Sequence, residues 1–354
     1  MSKALTYKLL AVSLGTSILA NVASAQTFDP SQLQPIKGVS NVEDLIAINK
    51  SWVIGTSYSG ASNPTHLYLF NAKNRSFEDL LPSIASAPDK NAFPMCPGAP
   101  DFKKMSTHGL DYYPEQNRLL VVNHGGRESV EAFAVSQNAE GKPSLTWIGC
   151  AIAPKTAYLD AVAGVNSNEF YATSLWNPTD PKRVSILAAD RPSGVLYHWT
   201  AAAGYTEVKN IQGLSGPNGL LSTRDGKTQF INLWADNSIL RLEHSGNSYI
   251  AKTVKTDFHP DNIRWAPDSQ SIYIGGQPGS VTEIFKCLGS AVETCPNIKS
   301  QISVLDPKSM KVQPLLPSGV YNGLSVGTGA IEVGRELWLS TAKNNMIGVI
   351  PAKN

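Results

Sequence analysis

HGLDYYPEQNRLLVVNH, residues 108–124, sets the pattern for the whole chain. A polar residue opens a short apolar run, Pro114-Glu115 turns it, and a stronger apolar run ending in LLVVNH returns. The same order recurs. Its opening copies are EDLIAI at 43–48, DAVAGV at 160–165, NGLLST at 218–223, DNIRWA at 261–266 and GAIEVG at 329–334. Their partners include FYATS, FINLW, IYIGG and LWLST. From Glu43 to Gly329, successive openings lie 43 to 68 residues apart, and no segment holds a helical period for several turns. Six copies at blade-length spacing predict an all-β chain, a six-bladed β-propeller in a single domain over residues 41–354. A two-domain β-sandwich is the rival, and it has no need of six matched openings.

The repeat also explains why polar residues stand at the openings. In a propeller the innermost strands line a central channel, so equivalent ends from separate blades converge. Glu43, Asp44, His108, Asp160, Asn218, Asp261 and Asn262 all lie at or beside such positions, and no Arg or Lys stands there before Arg264. Buried carboxylates need a cation or a dense set of donors. Asp, Glu, Asn and backbone oxygens are hard ligands that suit calcium, so the expected tunnel is metal-binding. Periodicity alone leaves open that these groups bond to one another and to channel water.

Outside the repeat, Met1 to Ala25 reads as a secretory signal peptide. Lys3 and Lys8 start it, an apolar core follows, and Ala23-Ser24-Ala25 forms a small-residue cleavage site. The apolar run is too short and too interrupted for a membrane span. Residues 26–40 read as an extended entry segment. The expected product is an exported protein, periplasmic or secreted. The 354-residue chain carries 30 Lys+Arg against 28 Asp+Glu, with 42% apolar residues. It can bury a large core, is too apolar to be disordered, and lacks the clustered basic footprint of a nucleic-acid binder. Four cysteines in an oxidising compartment point to two disulfides rather than a metal site. Cys287 and Cys295 enclose a short segment and are expected to pair locally, leaving Cys96 with Cys150.

THGLDYYPEQNRLLVVNHGGRESVEAF at 107–133 and VEDLIAI at 42–48 resemble the paraoxonase/arylesterase family of calcium-dependent lactonases and arylesterases, within the wider gluconolactonase-like propellers. DAVAGVNSNEFYATS at 160–174, GPNGLLSTRDG at 216–226 and HPDNIRWAPDSQSIYIGGQP at 259–278 continue the likeness in order. The resemblance implies a six-bladed propeller with calcium in its tunnel. A catalytic-type ion would take Glu43, Asn218, Asp261 and Asn262; its fifth position falls on Leu159, whose side chain offers no oxygen. A deeper, structural-type ion would take Asp44, the Leu110 carbonyl and Asp160. The family's histidine pair falls on His108 and His124, and a pocket-wall histidine on Gln277, which cannot titrate near neutral pH.

One or two calcium ions are therefore expected, with the Leu159 gap weakening or shifting the outer one. The expected function is calcium-dependent hydrolysis of a small-molecule lactone or aryl ester, with His108 activating water and His124 orienting or relaying for it. The alternatives are a sugar lactonase, a phosphotriesterase, a metal-free strictosidine-synthase-like enzyme, or a propeller that only binds or scaffolds.

Overall fold

The structure, a computed structural model, describes residues 26–58, 65–246 and 248–353. The 1–25 leader expected from the sequence lies outside the described residues. Six sheets follow one another along the chain, antiparallel except for a short parallel strand, Ala85–Ser86, at the outer edge of the second, and their innermost strands are the six opening copies. These are Val42–Asn49, Thr107–Tyr113, Tyr158–Asn166, Pro217–Ser222, His259–Trp265 and Gly327–Val333, counted here as blades 1 to 6. Each inner strand packs against that of the next blade, and the sixth packs against the first, so the ring closes.

Gln34–Lys37 lies within the segment expected to precede the propeller, yet it pairs antiparallel with Met346–Pro351 as the outer strand of blade 6. Blade 6 thus joins the two ends of the described chain, and its edge is covered by backbone hydrogen bonds. Between blades, apolar side chains interdigitate; Phe133, Trp147 and Phe170 fill one such layer, and Phe70 and Trp338 another. Among the described residues no helix is long and apolar enough to cross a membrane.

Both expected disulfides are present. Cys96–Cys150 ties a connection to the outer part of blade 2, and Cys287–Cys295 closes a span of 8 residues. The second begins on a helix, Val281–Leu288, that the strand-dominated reading passes over. Its signal was present in the sequence: Ser280 and Glu283 form a reciprocal capping box, and Val281 and Ile284 share the buried face. The Lys343 ammonium binds the Cys287, Leu288 and Ser290 carbonyls at 2.6–2.9 Å, fixing the helix's far end.

Candidate functional site

Every inner strand is irregular at its opening. Pairing with the second strand slips between Val42 and Asp44, Thr107 and Leu110, and Leu159 and Val162. It slips again between Pro217 and Leu220, Pro260 and Ile263, and Gly327 and Gly329. A bulge releases residues from strict alternation, so consecutive side chains turn toward the same space. Glu43 and Asp44 gain this freedom in blade 1, His108 in blade 2, Asp160 in blade 3, Asn218 in blade 4, and Asp261 and Asn262 in blade 5. Glycine lets the strands close in: a Cβ on Gly109 would meet the Asp160 carbonyl oxygen at 2.3 Å, and one on Gly219 the Asp261 carbonyl oxygen at 2.1 Å.

At the mouth Glu43, His108, Asp160, Asn218 and Asp261 share one cavity of about 100 Å³, which Gln277 also lines. Asn262 Nδ2 donates to the Glu43 carbonyl at 2.9 Å and to Glu43 Oε1 at 2.8 Å. The other carboxylate oxygen, Glu43 Oε2, is buried without a hydrogen-bond partner, as is Asn218 Oδ1. Burial pushes the Glu43 carboxyl well above its ordinary range, and the neighbouring charges of Asp261, Asp44 and Asp160 push it further. Burial likewise raises Asp261 to about 7, against a bond from Gln277, and lifts Asp160 well above its usual value. Acidic oxygens crowd here without enough donors.

Gln277 has no free end. Its Nε2 donates to Asp261 Oδ2 at 2.7 Å and to the Gly327 carbonyl at 2.9 Å, while Oε1 accepts from Trp234 Nε1 at 3.0 Å. It lines the cavity as expected but is spent in holding Asp261. Leu159 corrects the sequence reading more sharply. Its side chain is fully buried in the hydrophobic layer beside blade 2 and does not line the cavity; the neighbouring Tyr158 does.

The two histidines meet, His108 Nδ1 to His124 Nε2 at 3.0 Å. Sequence reasoning missed what stands behind them. Glu128 Oε2 lies 2.8 Å from His124 Nδ1, and its Oε1 accepts from the Leu159 amide at 2.6 Å. Tyr58 stacks on His108 at 4.2 Å between centroids, Tyr158 stacks on His124 at 4.4 Å, and the two phenols hydrogen-bond to each other. Burial raises the Tyr58 phenol to about 12, so it stays neutral and acts as a wall. Burial and the adjacent His124 hold the His108 imidazole well below its ordinary value, although the Leu159 backbone beside it favours the protonated ring. His108 Nε2 comes within 3.7 Å of the unpartnered Glu43 Oε2.

Further along the tunnel the deeper set assembles differently from expectation. Arg264 Nη2 binds Asp44 Oδ2 and also donates to the Leu110 carbonyl at 2.8 Å. Asp44 and the Leu110 carbonyl, assigned to a structural ion by the resemblance, are therefore held by a guanidinium. Burial raises Asp44 to about 6 while the Arg264 charge pulls it back.

The outer donor set fits a hard cation by chemistry: two carboxylates and two amides, with two buried oxygens lacking partners. The deeper set does not fit, because a cation of the chain itself is bonded to two of its three members. Among the described residues no group of three or more His, Cys, Asp and Glu side chains is gathered as a metal centre.

Above the mouth the walls are apolar: Leu175, Trp176 and Val326, with Ile284, Phe285 and Leu288 from the Val281–Leu288 helix. Nothing in the blade repeat announced this roof.

A family model described as Arylesterase matches residues 61–301. No curated protein matches the chain. Among solved structures, a luciferin-regenerating enzyme gives a TM-score of 0.53 at 10% identity, over 91% of this chain and 96% of that one. A protein of unknown function from Bacteroides thetaiotaomicron VPI-5482 gives 0.53 at 12% identity, over 91% and 76%. The PQQ-bound aldose sugar dehydrogenase of Streptomyces coelicolor gives 0.50 at 12%, over 91% and 98%. At such identities these three share the fold with this chain and no more.

Proposed function

The chain belongs to the arylesterase family, and from that premise, which supports an ester-acting propeller hydrolase, we propose calcium-dependent hydrolysis of a lactone or aryl ester at the tunnel mouth. One observation carries this reading: Glu43 Oε2 and Asn218 Oδ1 are buried and unpartnered on the same cavity as Asp261. Oxygens that have lost water and found no donor are stabilised by a cation. Glu43, Asn218, Asp261 and Asn262 would hold it. When bound, calcium supplies Lewis-acid polarisation of a carbonyl oxygen and stabilisation of the negative charge developing there.

The chain's own residues supply the proton transfer. The Glu128 carboxylate keeps a proton on His124 Nδ1, so His124 Nε2 accepts from His108 Nδ1–H. His108 Nε2 is then the unprotonated nitrogen facing the cavity, and takes the proton of the attacking water. As the water oxygen bonds to the acyl carbon, the charge gained by His108 passes toward His124 and is balanced by Glu128. The acyl C–O bond breaks, and the departing alkoxide recovers the proton, leaving a hydroxy acid or an alcohol plus a carboxylate. Gln277 holds Asp261 in place. Trp176, Phe285 and Leu288 exclude bulk water and pack the apolar part of the substrate. Export to the periplasm or beyond belongs to the same proposal, supported by the leader and by two disulfides, which persist in oxidising compartments.

A second reading keeps the hydrolase and drops the metal. It is favoured by the hydrogen-bonded Glu128, His124 and His108, which supply a base without an ion. A lactone and aryl-ester panel assayed after exhaustive chelation separates the two. Calcium dependence predicts turnover lost with chelator and restored by calcium. Unchanged turnover in metal-free protein hands the site to the Glu128–His124–His108 relay alone.

A further inference from the structure

Arg264 is the only Arg or Lys on the six inner strands, and it is nearly sealed from solvent. All three of its nitrogens donate. Nη2 binds Asp44 Oδ2 and the Leu110 carbonyl at 2.8 Å, Nη1 the Ile263 carbonyl at 2.8 Å, and Nε the Leu45 carbonyl at 3.3 Å. Asp44 is equally committed. Oδ1 accepts from the Leu45 amide at 2.9 Å, and Oδ2 from the Leu110 amide at 3.2 Å as well as from the guanidinium. Calcium binds oxygen at roughly 2.3–2.6 Å. An ion shared by Asp44 Oδ2 and the Leu110 carbonyl would have to stand where Nη2 stands.

We propose that Arg264 is a built-in replacement for the deeper cation, so that the tunnel of this chain takes at most one divalent ion, at its mouth. A fixed guanidinium gives blades 1, 2 and 5 a common counter-charge that no chelator can remove. The replacement also frees Asp160, the third residue assigned to the deeper ion. It lines the mouth cavity with Glu43 and Asp261. A carboxylate assigned to one site thus stands on the cavity of the other. The inference does not depend on the mouth holding calcium, because it concerns where an ion is excluded.

The test is a count of calcium bound to the purified full chain after dialysis against calcium, for wild type and for Asn218→Ala. One ion in wild type, lost in Asn218→Ala, is the expected result. Two ions in wild type, or one that survives Asn218→Ala, overturns the proposal. No ion in wild type sinks the calcium reading of the mouth and leaves the exclusion by Arg264 standing. The complementary variant is Arg264→Ser in chelator, whose melting midpoint should fall by roughly 10 °C. Added calcium should recover most of that fall and raise the count by one. A midpoint that stays put, or that calcium leaves where it fell, overturns the replacement. If Arg264→Ser does not fold, the wild-type and Asn218→Ala counts decide alone.

Discussion

Asp44 has both carboxylate oxygens bonded and a guanidinium against it. One residue earlier on the same strand, Glu43 turns to the mouth and leaves Oε2 buried without a partner. Both groups come from one bulge and both are nearly inaccessible, so position and burial do not separate them. Compensation does. Around Asp44 the chain brings its own cation and closes the electrostatics when it folds. Around Glu43 it brings acids and amides and stops, leaving a demand that a ligand can meet. Satisfied buried charge holds the blades, and unsatisfied buried charge marks the place of chemistry.

Substitutions break that contrast in graded steps. Asp44→Ala leaves Arg264 buried and unpaired, and should cost about 3–5 kcal/mol in denaturant unfolding. Asn218→Ala at the mouth should change unfolding by only about 1 kcal/mol, because an oxygen that had no partner leaves together with the one side-chain bond that Asn218 gives Asp261. The same variant should lose about a hundredfold or more in turnover on the ester that wild type hydrolyses best. Equal destabilisation by the two would erase the distinction between the ends.

Glu128→Gln sharpens it from the histidine side. The amide keeps an oxygen for the Leu159 amide but removes the charge behind His124 and can donate where the carboxylate accepted. That favours the opposite tautomer through both rings, with kcat falling about a hundredfold at nearly unchanged stability. Next in size, Cys287→Ser with Cys295→Ser should lower stability by about 2 kcal/mol through the freed loop. Because the roof helix begins to loosen at the same time, KM should rise more than kcat falls.

The smallest effect is far from the tunnel. His66 and Asp79 lie 2.8 Å apart on blade 1, and each shifts the other: His66 upward through its bond to Asp79, and Asp79 downward through its bond to His66, against its own burial. The raised histidine contributes fully below its unfolded value near 6.5 and loses its contribution as pH rises through the folded value. The lowered carboxyl contributes above about 4 and loses that below. Solvent screening at this half-exposed pair holds the total to a few tenths of a kcal/mol. Melting His66→Asn beside wild type at pH 5.5 and at pH 8.5 should show the difference at the lower pH only.

Much of this was legible in the chain. The six matched openings, five of them polar, pointed to the propeller because each became an inner strand, and Glu43, Asn218, Asp261, His108 and His124 reached the same end of the tunnel. Local pairing of Cys287 with Cys295 followed from their nearness in sequence. Other features needed contacts that no local pattern encodes. Glu128 sits four residues from His124 beyond a Gly-Gly turn, where periodicity says nothing about its direction. Leu159 looked like a missing ligand on the cavity wall, but its side chain packs in the core and leaves Tyr158 facing the mouth. The roof helix announced itself only through a capping box in a stretch read as strand and loop. Gln277 read as a pocket-wall residue, and its three hydrogen bonds, one of them to Asp261, came from contacts distant in the chain.

The sequence by itself determined the repeat, the identity of the polar residues that converge and the number of disulfides, because strand periodicity and residue chemistry are local properties. Only the tertiary structure decided which carboxylate finds a counter-charge. Arg264 and Asp44 lie 220 residues apart in the chain and touch across the tunnel. An electrostatic site is the sum of charges brought together from separate blades, and that sum does not exist until the ring closes.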